Sequence, residues 1–207
     1  MKTRNRWLLV PIAGIFLFLL LFGFAAARYP GGSPADLTHE GFDWKHNYWC
    51  NLMGETAMNG EPNDALPIAV LALLVLCISL FLFFYHFSFQ LAVTSAWAKI
   101  IRVSGLLSML AAALIATDWH DEMIIVASCF GLFVIVGIMV SLVLSNLIVY
   151  KFTGAVCLLM LGLNNYIYYT QHGLHLLPLL QKLTFVIVLG WIIGLNWKLY
   201  QKAHVTS

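Results

Sequence analysis

Six stretches of the chain stay apolar for about the 20 residues that a helix needs to cross the hydrocarbon core of a bilayer. They cover residues 7–27, 66–85, 100–117, 123–144, 147–168 and 176–197. The polar intervals between the third, fourth and fifth are short, so those helices are expected to be antiparallel neighbours. The pattern predicts an all-α, polytopic transmembrane bundle of six helices, one membrane domain over residues 1–207.

The first stretch has a second reading. Lys2, Arg4 and Arg6 precede it and Ala25-Ala26-Ala27 ends it, which is the layout of a cleavable signal peptide. Its apolar run is nearer 20 residues than the 7–15 of a signal core, which favours an uncleaved anchor. Cleavage would leave five spans and move no later loop to the other side.

The only long polar interval is 28–65, rich in Gly, Pro, Asp and Asn and carrying Tyr29, Phe42, Trp44, Tyr48 and Trp49. A loop of that length in a small domain is often functional, and its rings suit the headgroup level of a membrane.

Composition agrees with the pattern: 61% of the residues are hydrophobic and 10% charged, against about a quarter charged in soluble domains. The formal net charge is +2 and no Lys/Arg-rich run exists, so nucleic acid is excluded as a partner. Cys50, Cys77, Cys129 and Cys157 form no CxxC pair, which leaves no disulfide framework or redox motif.

Charge placement gives an orientation. Cytoplasmic loops collect Lys and Arg. With the N-terminus inside, Lys2, Arg4, Arg6, Lys99, Arg102, Lys151, Lys198 and Lys202 are cytoplasmic, and only Arg28, Lys45 and Lys182 are outside. All nine acids then fall outside, in the 28–65 loop and at 118–122. So do five of the seven histidines: His39, His46, His120, His172 and His175. The expected location is the inner (cytoplasmic) membrane of a cell, multi-pass, with a cytoplasmic N-terminus.

Three segments could carry chemistry at the outer end. His39, Glu40 and Asp43 would share a face if that stretch were helical, with His46 close by; a solvated loop is the plainer reading. Asp118-Trp119-His120-Asp121-Glu122 joins helices three and four. There Asp118 could cap helix four, with Asp121 and Glu122 favouring its positive terminus. Capping leaves His120 unexplained, and flanking carboxylates would raise its basicity. The third segment runs from Asn164-Asn165 through Tyr166, Tyr168 and Tyr169 to His172 and His175. Its tyrosines fit an aromatic belt, its amides are expected to bond a neighbouring helix, and its histidines stand at i, i+3. Together His46, His120, His172 and His175 are a candidate metal set, with zinc the ion that suits imidazole and carboxylate donors; the cofactor is otherwise unknown. No GxSxG, phosphate loop or HExxH occurs. No charge lies mid-span, which weakens a proton pump or ion-coupled carrier.

Four short stretches carry a resemblance: Asn47-Tyr48-Trp49-Cys50-Asn51-Leu52-Met53-Gly54, Gly60-Glu61-Pro62-Asn63-Asp64, His120-Asp121, and Pro178 with Gln181-Lys182 and Trp191. In these the chain resembles the domain-of-unknown-function 998 group of bacterial membrane proteins, itself similar to the DRAM/Sfk type of six-span proteins. The resemblance implies a six-helix bundle and, through lipid handling in DRAM/Sfk-type relatives, a membrane lipid as partner; a protein partner stays unknown. Tyr48, Asn51, Asn164, Asn165 and Gln181 are then candidate substrate-binding residues, and His120, Asp121 and Asp118 candidate catalytic residues for headgroup hydrolysis or transfer. The alternatives are a non-enzymatic scaffold or partner-binding protein, then a lipid or solute transporter.

Overall fold

The computed structural model describes residues 6–205. Lys2 and Arg4 therefore lie outside the described residues, as does the His204 side chain.

A single 3-10 turn, Arg6–Leu9, leads into α1, Val10–Arg28. Five more helices follow: α2 Leu66–Gln90, α3 Ser95–Ala113, α4 His120–Val143, α5 Ile148–Thr170 and α6 Leu177–Val205. With the lead-in turn counted into α1, all six are long and apolar enough to cross a membrane. The protein is thus an all-α, multi-pass membrane bundle, as the hydropathy pattern implies.

Helix ends depart from the apolar runs where polar side chains are satisfied locally. α2 continues through His86 to Gln90, where Ser88 Oγ donates to the Tyr85 carbonyl at 2.7 Å. α3 starts five residues before its apolar run, because Thr94 Oγ1 caps it by accepting from Trp97 N at 3.2 Å. That extension takes Lys99 into the helix. The Arg102 guanidinium lies 4.6 Å over the Phe89 ring, a snorkelled arrangement that keeps the stem on apolar surface. Asp118 does not cap α4: the cap position is Trp119, and only Asp121 and Glu122 sit in the first turn.

The helices pack in the order α4–α3–α2–α1–α6–α5. Ile15, Phe18 and Phe22 of α1, Phe83 and Phe87 of α2, and Ile101, Ile138, Leu195 and Leu199 all belong to one continuous core. α1 is thus an integral packing element, and Asn196 Nδ2 on α6 donates to the Leu8 carbonyl at 2.6 Å beside it. α4 and α5 are the two ends of this horseshoe. Residues 144–147 join them, yet they pack little on each other. Their outward faces expose Leu132, Phe133, Phe152 and Leu159. Such an apolar belt is stable only against lipid or another protein.

The alternation of helices brings the 29–65 segment, the 114–119 turn and the 171–176 turn to one end of the bundle. All nine acids belong to that end. The 29–65 segment is irregular apart from a short 3-10 helix, Trp49–Met53, and two isolated antiparallel bridges, Gly31–Glu40 and Thr56–Pro62. This stretch is a loop, the plainer of the two readings, so His39, Glu40 and Asp43 share no helical face: Glu40 pairs with Gly31 and Asp43 opens a turn closed by Asn47 N at 2.8 Å.

Buried amides hold this segment together. Asn47, fully buried, accepts from Asp43 N at 2.8 Å and donates to the Gly32 carbonyl at 2.9 Å. Asn63 Nδ2 reaches the carbonyls of Leu52 and Gly54 at 3.2 and 2.7 Å, while its Oδ1 accepts from Ala65 N at the start of α2. Gly32 has φ +82, and a Cβ there would lie 2.4 Å from Asn59 N, so only glycine fits this crossing. Such side chains, together with backbone bonds across the turns, supply partners for backbone groups that lack a helix or sheet, which is how an irregular segment can be buried.

Candidate functional site

Between the N-terminal half of α4 and the C-terminal half of α5 lies a cavity of about 670 Å³, roofed by the 3-10 helix of the long loop. Its α4 wall is His120, Asp121, Ile124, Ile125 and Ser128. These positions share one helical face, since residues three and four apart are neighbours on a helix. The α5 wall is Asn164, Asn165, Tyr168 and Tyr169, again one face. Tyr48 and Cys50 come from the roof, Gln171 and Leu174 from the turn before α6, and Leu177 and Gln181 from α6 itself. The short 144–147 link joins the other ends of the two helices.

Three fixed contacts shape the polar rim. His120 Nδ1 and Asp121 Oδ1 are 3.0 Å apart, a pairing that needs the proton on Nδ1 and leaves Nε2 of the neutral ring as an acceptor. Asn164 Nδ2 donates across to Thr184 Oγ1 of α6 at 2.6 Å and to the Met160 carbonyl at 2.8 Å. Gln181 Oε1 accepts from Trp49 N at 3.1 Å, which fixes the roof to α6. The Trp49 ring stacks on Phe22, with centroids 4.4 Å apart, and on Phe185 at 5.5 Å and 11°. Burial raises the Cys50 thiol, and the Asp121 carboxylate adds to the rise. A thiol so held is a poor nucleophile. The Tyr48 phenol is also raised, first by burial, then by Cys50 and Tyr168, which places these groups around one space.

Six of the residues singled out from sequence therefore meet at one cavity: Tyr48, His120, Asp121, Asn164, Asn165 and Gln181. Others do not line it. Asn51 is absorbed in the roof, where its Oδ1 accepts from Tyr48 N at 2.6 Å. Asp118 stays in the exposed turn before α4. His46 is turned to Asp43, Nδ1 to Oδ2 at 2.7 Å. His172 Nδ1 donates to the Thr170 carbonyl at 2.9 Å, and His175 is exposed on the 3-10 turn Leu174–Leu176. Among the described residues no three His, Cys, Asp or Glu side chains gather as metal ligands. His46, His120, His172 and His175 are each engaged or dispersed, so this donor set does not fit a zinc ion, and no chemistry is routed through one.

Sequence reasoning missed Ser128, Cys50 and Gln171 as lining residues, and gave Tyr168 and Tyr169 only a belt role. A signal existed for Ser128: it lies eight residues after His120, in phase with Ile124 and Ile125.

No family model, no curated protein and no solved structure matches the chain.

Proposed function

We propose that this protein binds a membrane lipid in the cavity between α4 and α5, with the headgroup at the acid-rich end and the acyl chains leaving between the helices into the bilayer. The observation that carries this reading is the make-up of the cavity: Ile124, Ile125, Leu174 and Leu177 offer apolar wall, and His120, Asp121, Asn164, Asn165 and Gln181 supply a polar rim. Such a pairing of apolar wall with a few polar groups is the usual composition of a small-molecule site. The resemblance to the 998 group adds to it. Positive-inside charge bias supports a cytoplasmic N-terminus, an extracytoplasmic cavity and residence in a cytoplasmic membrane.

The test is lipid retention by native mass spectrometry of protein extracted in mild detergent. One lipid per chain is expected. Ser128→Trp, which fills the cavity, should lose it, while Leu163→Trp on the exposed face of α5 should keep it. Equal retention in both variants would remove the reading.

A hydrolytic or transfer reading is favoured by one feature, the His120–Asp121 pair at the cavity rim. Its free Nε2 would act as a general base on a water attacking a headgroup ester. Loss of headgroup release on His120→Ala, with lipid still bound, is the outcome that would establish it.

A further inference from the structure

The charge of the cavity limits which headgroup it takes, given that it holds a lipid. Its lining contains one carboxylate, Asp121, and no Lys or Arg. The cation closest in sequence to the lining, Lys182, is buried and committed elsewhere: Nζ donates to the carbonyls of Asn47 at 2.5 Å and Pro178 at 3.0 Å, and sits 5.6 Å from the Phe42 ring centroid. A bare phosphate or sulfate at the rim would meet Asp121 with no Lys or Arg of the lining to answer it.

Aromatic rings complete the picture. Tyr168 and Tyr169 stand edge to face, with centroids 5.3 Å apart and an interplanar angle of 82°. Tyr48 enters from the roof on the same cavity. Ring faces attract a cation through their quadrupole, and tyrosines around a carboxylate are the chemistry that receives a quaternary or primary ammonium. His120 bonds to Asp121 Oδ1 and so orients that carboxylate.

The geometry points to an ammonium-bearing headgroup as the ligand of this pocket, its cationic end seated among Tyr48, Tyr168, Tyr169 and the Asp121 carboxylate. A zwitterionic lipid satisfies this with its phosphate at the rim, where Asn165 and Gln171 each keep a second amide N–H beside the one that donates to the Leu161 or Tyr168 carbonyl. An anionic lipid whose head ends in hydroxyls has no group for the cage.

The experiment titrates purified full-length protein with three lysolipids of one acyl chain, bearing choline, ethanolamine or glycerol headgroups, and reads binding by calorimetry. The choline and ethanolamine lipids are expected to bind about tenfold more tightly than the glycerol lipid. Asp121→Asn should remove most of that preference without weakening the glycerol lipid. Tyr168→Phe should keep it, because the ring face remains, and Tyr168→Leu should lose it. Equal affinity for the three lipids, or tighter binding of the glycerol lipid, overturns the headgroup assignment and leaves the pocket standing. Absence of saturable binding by all three overturns the pocket reading itself.

Discussion

Lys182 Nζ donates to the carbonyl of Asn47, 135 residues away in sequence, and both residues are buried. The bond joins α6 to the turn that carries Asp43 and His46, and it holds the roof of the cavity over the helix ends. A buried ammonium is tolerated here because two carbonyls and a ring face replace its water.

Replacing this lysine should therefore loosen the roof first. Lys182→Met keeps the stem and removes the donor. About 1–3 kcal/mol of stability should be lost, since hydrogen bonds to charged groups lie at the upper end of the usual range. Thermal unfolding in detergent measures the loss, and limited proteolysis should show earlier cleavage within residues 29–65 than in the unsubstituted protein.

Asp43 makes the same segment acid-sensitive. Burial works to raise its carboxyl. The His46 side chain and the backbone amides of Lys45 and His46 outweigh that and bring it to about 2, from an ordinary 3.8. A depressed folded value means the carboxylate stabilises the fold above the ordinary value. That stabilisation is lost as pH falls from about 4 through about 2. On the order of 1–2 kcal/mol is involved. Unfolding followed across this window should show the decline, and Asp43→Asn should flatten it while leaving the protein less stable at neutral pH.

The Asn164–Thr184 bond between α5 and α6 should matter less to stability than its 2.6 Å length suggests. Thr184 Oγ1 also donates to the Leu180 carbonyl at 2.8 Å, so it keeps a partner without Asn164. Interhelical hydrogen bonds in membranes average about 0.6 kcal/mol. Asn164→Leu is thus expected to lower stability by about 1 kcal/mol or less in thermal unfolding, and to show its larger effect in lipid retention, because Asn164 lines the cavity.

The six helices were legible because lipid demands long apolar runs, and α2 begins at Leu66 as the run does. Their ends were less so. Lys99 fell outside the third apolar run, yet it lies within α3, because a helix end at an interface accommodates such a side chain by snorkelling. Half of the candidate site was visible as polar residues at one end, with His120 at the start of α4. Which of them face a common space depends on where α4 and α5 part, and that is a packing outcome without a local sequence signal. Lys182 shows the same limit: it looks like an interfacial cation until the Asn47 carbonyl folds onto it.

The proposed orientation puts the acid-rich end and its cavity away from the cytoplasm, and sidedness can be measured directly. In a chain with Cys50, Cys77, Cys129 and Cys157 changed to serine, Glu61→Cys and Ala96→Cys put single thiols at exposed sites on opposite ends of the bundle. A membrane-impermeant maleimide added to intact cells should label the residue-61 thiol at once and the residue-96 thiol only after permeabilisation. The reverse order would put the carboxylates and the cavity at the cytoplasmic face and contradict the arrangement.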